Sequence, residues 1–311
     1  MKVLVTGGAG QVGSHVAELL AARGNQVVSI DNLATGRQSH LKISSNNSLI
    51  KGSIADFEVF KNPFGGNEKA DVVVHAAASY ADSNAWEEDS KTNIIGTINS
   101  LRYAKESNAR LIYFQTALCY GLSPTIQPVP LDYPRIPAPT SYGISKTAGE
   151  FYIEQSGIDF VTFRLANIVG PRNLSGALPI FYKRLSTGQR CMIAEARRDF
   201  VDVRDLASVV VQAVDGRGSG AYHFSSGKDI SILDMFNAVA NALQLEPKPE
   251  YDSAPSLGSN PATILLDPAK TYEDFDMPQL TDFKNTVDAA VTYYKEFGVD
   301  REVTHLKAAK S

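Results

Sequence analysis

The chain has 311 residues, of which 43% are hydrophobic and 21% charged, with a net charge of −4. That is the make-up of a soluble globular protein, and it offers neither nucleic acid nor an anionic membrane a basic surface. No apolar run reaches membrane-spanning length, and two cysteines, Cys119 and Cys191, cannot build a disulfide framework, which fits a reducing cytoplasm.

Lys2-Val3-Leu4-Val5 predicts a buried parallel strand; it follows Met1 directly, so no signal peptide is expected. Thr6-Gly7-Gly8-Ala9-Gly10-Gln11-Val12-Gly13 is the joint to a helix over Gln11 to Arg23. Glycines at a strand-to-helix joint permit a tight turn, close approach of a pyrophosphate and close helix–strand packing, while the helix N-terminus favours an anion. A second strand, Val27 to Ile30, ends at Asp31, eighteen residues past Gly13, where a carboxylate accepts hydrogen bonds from an adenosine ribose. Further strands are predicted at Leu49 to Lys51, Asp71 to His75, Arg110 to Phe114 and Phe160 to Arg164. A long helix is predicted over Trp86 to Ser107 and another over Tyr142 to Ser156. Pro124 to Pro139 holds six prolines in sixteen residues and reads as an extended loop. Ala177 to Ser186 and Val203 to Val214 read as helices, Ala221 to Phe224 as a strand, and Ile230 to Leu243 and Asn285 to Phe297 as amphipathic helices.

Strands alternating with helices predict an α/β fold: a Rossmann doubly wound parallel sheet with a smaller, discontinuous α/β substrate-binding domain. The expected division is 1–168, with 199–224 returning to it, for the dinucleotide domain. Residues 169–198 and 225–311 form the second.

Tyr142-Gly143-Ile144-Ser145-Lys146 places a phenol and an ammonium on one helix face. A cation beside a tyrosine favours its phenolate, giving a general base for a sugar hydroxyl near neutral pH. Among thirteen tyrosines such a spacing arises about once by chance, so its context decides.

That context is a set of segments: Thr6 to Gly13, Asp31 to Arg37, His75-Ala76-Ala77-Ala78, Thr92-Asn93-Ile94-Ile95-Gly96-Thr97, Phe114 to Gly121, Arg164 to Arg172 and Arg198 to Val203. Together they resemble the extended short-chain dehydrogenase/reductase family, in its sugar-nucleotide epimerase/dehydratase branch, over nearly the whole chain. Phe114 to Gly121 is especially similar to the epimerases of O-antigen gene clusters, of the WbmG type. The resemblance implies tightly bound NAD held by Gly7, Gly10, Gln11, Val12, Gly13, Asp31, Asn32, Thr35, Gly36, Ser53, Ile54, Ala76, Ala77, Ala78, Asn93, Tyr142 and Lys146. It implies Tyr142 as base, Lys146 as its partner and ribose anchor, and Thr116 as the hydroxyl on the reacting oxygen. Thr116 also stands at the carboxyl edge of the sheet, where open α/β folds bind ligands. Asn167 and Arg198 are implied for a substrate diphosphate, and Arg172 for a phosphate or sugar carboxylate. No metal is implied. Asp31 favours NAD over NADP by repelling a 2′-phosphate, whereas Arg37 pulls the other way.

The chain also departs from the branch. Gly52-Ser53-Ile54-Ala55-Asp56 lacks one acid of the usual third-strand motif, Ile193 to Arg197 lacks the usual glycine-rich turn, and Cys119 replaces a small apolar residue. Dehydratases of the branch carry two acids after the threonine, where this chain has Ala117 and Leu118. Decarboxylases carry a glutamate before Tyr-Gly, where this chain has Cys119. The remaining expectation is a UDP-sugar 4-epimerase of surface polysaccharide or glycoconjugate synthesis, cytoplasmic, dimeric through helices near 86–107 and 142–156. The alternatives are a keto-sugar reductase that exchanges its cofactor and a non-catalytic NAD sensor.

Overall fold

β1 (Lys2–Thr6) is followed by α1 (Gln11–Ala22), β2 (Gln26–Asp31), β3 (Asn47–Lys51) and β4 (Val72–His75) in the computed structural model, which describes residues 1–80, 84–246, 249–255, 263–277 and 279–299. The helix expected over Trp86 to Ser107 is interrupted. α2 (Trp86–Asp89) widens into a π-helical stretch at Ser90–Ile95 before α3 (Gly96–Ser107). Asn93 sits in the widened turn, fully buried, with its amide exchanging two hydrogen bonds with the Ser79 backbone. β5 (Arg110–Thr116) runs two residues further than expected and leads through the proline-rich loop to α4 (Ser141–Glu154) and β6 (Phe160–Leu165). The Thr140 hydroxyl accepts from Gly143 N–H and so starts α4 one residue ahead of Tyr142.

The second half adds β7 (Asn167–Val169), α5 (Ala177–Ser186), β8 (Cys191–Ala194), β9 (Arg197–Arg198), β10 (Phe200–Asp202), α6 (Val203–Val214) and β11 (Gly220–Phe224). It ends with β12 (Ile230–Ser231), α7 (Ile232–Ala242), β13 (Tyr251–Ala254), α8 (Ala269–Asp274) and α9 (Phe283–Phe297). The helix expected from Ile230 begins two residues later because Ser231 and Asp234 cap it reciprocally. Residues 300–311 of the expected second domain lie outside the described residues.

Seven parallel strands form one sheet in the order β11-β6-β5-β4-β1-β2-β3, the doubly wound parallel sheet that the alternation predicts. Successive residues of each strand feed opposite faces. Val5, Val74, Ile112 and Phe163 pack under α1 and α6. Leu4, Val73, Leu111 and Tyr113 pack with Tyr103 and Ala104 of α3 and Ile153 of α4. A separate small core joins α5, α7 and α9 through Leu178, Phe181, Met235, Phe236, Val287 and Tyr294. Among the described residues, three two-stranded pairs, β7–β10, β9–β12 and β8–β13, were not expected; each holds only two to four residues per strand, too short to show a period. Strand order reverses between β1 and β4, which opens a crevice at their carboxyl ends.

Candidate active site

A cleft of about 650 Å³ runs along that crevice and across the ends of β2, β5 and β6. At its floor the glycines divide their work. Gly7 has φ +68°, and a Cβ there would lie 2.5 Å from Ala77 N; a Cβ on Gly13 would lie 2.2 Å from Gly7 O. Both positions are closed by packing. Gly10 has φ −75°, an ordinary value, and a Cβ there would meet only Gly7 O, at 3.2 Å. It lines the cleft, so the space beside it is open to a ligand.

The first turn of α1 contains no acid and no side-chain cap, and the Gln11 amide nitrogen is buried without a partner. Open backbone donors and the positive end of a helix suit a phosphate. Asp31 closes the other side: its carboxylate accepts from Ala9 N–H at 2.9 Å and Leu33 N–H at 2.7 Å. Burial nevertheless raises its pKa above the usual carboxylate value. Gln11, Val12, Asn32, Thr35, Ser53 and Ile54 line the same end, and Ala76, Ala77 and Ala78 line the middle. These residues fit a dinucleotide: a phosphate cradle at a helix N-terminus, a ribose acceptor at the end of β2, and a flat apolar wall. Arg37, the residue set against Asp31, donates to Phe297 O and Gly298 O at the end of α9.

Three expected cofactor residues, Gly36, Asn93 and Lys146, stand behind the wall instead of on it. Gly36 packs on the glycine turn, since a Cβ there would lie 2.7 Å from Ala9 C. Asn93 is spent on Ser79 and on the Ser145 hydroxyl, 3.0 Å away.

Tyr142 and Thr116 both line the cleft where β5 ends, and the Thr116 hydroxyl accepts from Leu118 N–H at 3.2 Å. The expectation that Tyr142 titrates low is corrected. Burial pushes its pKa up, the charges of Tyr80 and Asp89 add to this, and the neighbouring Thr116 side chain opposes it. Lys146 is fully enclosed, with its Nζ 3.9 Å from the centre of the Tyr113 ring. Burial holds its pKa down at about 7, against the pull of Glu150. Glu150 in turn accepts from Arg164 Nε at 2.9 Å and Gln115 Nε2 at 3.1 Å, and Gln115 Oε1 accepts from Thr116 N–H at 2.8 Å. One buried amide thus ties the Lys146 neighbourhood to the backbone of Thr116.

Toward the open end, Asn167 and Arg198 line the cleft as expected residues for substrate. Arg198 donates to Arg197 O at 2.6 Å, and burial lowers its pKa to about 10. Arg172 does not reach the cleft. Its guanidinium donates to Ser14 at 3.3 Å and pairs at 2.5 Å with Glu18, a charged partner that holds it against α1. Its neighbour Asn173 lines the cleft instead. Sequence reasoning missed Tyr80, Glu88, Thr92, Ser175, Phe200 and Met235. Glu88 and Thr92 stand four apart, on one helical face, which is a readable signal; the others come from separate loops and elements. Among the described residues, no group of three His, Cys, Asp or Glu side chains is placed to hold a metal ion, and no helix is long and apolar enough to cross a membrane.

The sequence model of the NAD dependent epimerase/dehydratase family matches residues 3–224. The crystal structure of the Bordetella bronchiseptica enzyme WbmH in complex with NAD+ is 54% identical, with a TM-score of 0.93 over 96% of this chain and 99% of that one. The B. bronchiseptica enzyme WbmG, solved with NAD and UDP, is 38% identical, with a TM-score of 0.88 over 98% of both chains. UDP-glucose 4-epimerase of Mycolicibacterium smegmatis is 28% identical over 278 residues, 83% of this chain and 87% of that protein.

Proposed function

The chain belongs to the NAD dependent epimerase/dehydratase family, and we propose that it is an NAD-dependent UDP-sugar 4-epimerase. The observation that carries this reading is that Tyr142 and Thr116 line one cleft together, at a strand end that continues with Ala117 and Leu118. The Tyr142 oxygen takes the proton of the sugar 4-hydroxyl and later returns it, while the Thr116 hydroxyl orients the reacting oxygen. NAD, when bound, accepts a hydride from C4 and gives it back. Lys146, as an ammonium, favours the phenolate of Tyr142 as it forms. Ala117 and Leu118 cannot move protons at neighbouring carbons, so the 4-keto sugar leaves by re-reduction. Rotation of the sugar presents its other face. Asn167 and Arg198 hold the diphosphate through amide and guanidinium hydrogen bonds.

The dinucleotide unit comprises 1–168 with 199–224, and the substrate unit 169–198 with 225–311. The chain acts as a homodimer. Trp86, Ile95, Ile144, Phe151 and Tyr152 are exposed apolar residues on the helical run 86–107 and on α4, and a second copy covers them. Two buried free thiols, Cys119 and Cys191, fit a cytoplasmic setting and a role in intracellular glycoconjugate synthesis.

The test is a panel of UDP-sugars resolved by NMR, with the NAD content of the purified protein measured after denaturation. The expected result is stoichiometric NAD and interconversion of one pair of 4-epimers. Tyr142→Phe should keep the NAD and lose turnover. Turnover retained in that variant removes Tyr142 as the base.

A further inference from the structure

The glycine turn is tied from behind, through His40, to α9, the last helix among the described residues. His40 is 2% exposed and bridges two distant segments. Its Nδ1 lies 2.9 Å from Ala9 O, inside the turn, and its Nε2 lies 2.8 Å from the Tyr293 hydroxyl on α9. A carbonyl only accepts, so Nδ1 carries the proton; Nε2 then accepts from Tyr293. Burial keeps His40 neutral, with its pKa down at about 4, which fits this tautomer. Ala9 O also accepts from Arg37 N–H at 3.1 Å, and Ala9 N–H donates to Asp31. Both ends of the Ala9 residue are therefore fixed, and its carbonyl shares a peptide plane with the N–H of Gly10, which donates to Gly7 O at 3.0 Å and so carries the plane into the turn that borders the cleft.

α9 belongs to the small core with Leu178 and Met235, which line the substrate end of the same cleft. A continuous path of packed contacts runs from that end through α9, Tyr293 and His40 to the phosphate cradle.

We propose that His40 and Tyr293 are positioning residues for the dinucleotide, and that retention of NAD depends on the seating of α9 against His40. The proposal rests on the NAD reading above. His40 sets the plane of the Ala9–Gly10 peptide, and Tyr293 sets the plane of the imidazole. Loosening either lets the cradle relax and the cofactor leave.

The experiment measures NAD affinity by calorimetry on apo protein, and the release rate of bound NAD, for wild type, Tyr293→Phe, His40→Asn and His40→Ala. Asparagine keeps a donor near the position of Nδ1 but does not reach Tyr293. Tyr293→Phe and His40→Asn should therefore weaken NAD by a similar factor, about threefold to tenfold, as for loss of one neutral hydrogen bond. His40→Ala should weaken it further, and adding Tyr293→Phe to His40→Ala should change nothing more. Apo Tyr293→Phe should melt a few degrees below wild type, because the buried His40 Nε2 loses its donor; a lowered melting point with wild-type NAD affinity reduces the contact to general stability and overturns positioning. Wild-type binding with unaltered affinity in Tyr293→Phe and His40→Asn overturns this proposal alone. Wild-type protein without NAD affinity overturns the NAD reading and this proposal together.

Discussion

Replacing Gly10 and Gly13 one at a time by alanine separates the ligand from the fold, because the two positions face different things. At Gly13 the new methyl would sit 2.2 Å from Gly7 O and 2.8 Å from Gly7 C, backbone atoms with no freedom to swing aside. α1 must shift off the turn, at the cost of overpacking a closed site, about 1–3 kcal/mol. At Gly10 the backbone conformation suits alanine and the single neighbour is at 3.2 Å. The gain of about 0.4–1 kcal/mol from a less free unfolded chain offsets that mild contact. Apo Gly10→Ala should therefore melt within a degree or two of wild type, while apo Gly13→Ala melts several degrees lower. Binding should invert the order of interest. The methyl of Gly10→Ala enters the space where a pyrophosphate meets the first turn of α1. Two backbone hydrogen bonds to a charged group, at about 1.5–3 kcal/mol each, are put out of reach. The NAD dissociation constant should rise about 100-fold or more. Scanning fluorimetry of apo protein and calorimetry with NAD measure the two effects. Wild-type NAD affinity in Gly10→Ala, or an apo melting point as low as that of Gly13→Ala, refutes the assignment of that space to a ligand.

Lys146→Met should stabilise the apo protein most at and below neutral pH. The folded pKa of Lys146 is depressed to about 7 from the usual lysine value of 10.5. The native state thus binds fewer protons than the unfolded state between those values, and wild-type stability rises with pH across that window. The advantage of the methionine variant should shrink from pH 7 upward and vanish near pH 10.5, as read by denaturant titration; a pH-independent difference removes the buried ammonium as its cause. Arg172→Met should lower stability by about 1 kcal/mol by losing the pair with Glu18, and leave the KM for the UDP-sugar unchanged. A raised KM at unchanged stability returns Arg172 to the substrate.

The doubly wound sheet was readable in the chain because its strands are short apolar runs separated by helical periods, and local periodicity survives folding unchanged. The glycine turn was readable for a related reason: strand, turn, helix N-terminus and Asp31 all fall within one βαβ unit. The three short strand pairs were not readable, having too few residues to show a period. The break at Ser90–Ile95 was not readable either, since it exists to bury Asn93 against a loop fourteen residues upstream.

At the site, the sequence by itself determined the residue types: a glycine turn, an acid after β2, Tyr142 four residues before Lys146, and Thr116 with no acid after it. Only the tertiary structure decided which of them meet the ligand. It placed Tyr142 and Thr116 on one wall of the cleft and turned Arg172 away to Glu18. It used Arg37 to cap α9 and set His40 between Ala9, 31 residues before it, and Tyr293, 253 residues after it. It also reversed the expected shift of Tyr142, because i and i+4 spacing specifies a shared face but not the solvent excluded from it. Burial and long-range partners depend on distances between segments that no local pattern encodes.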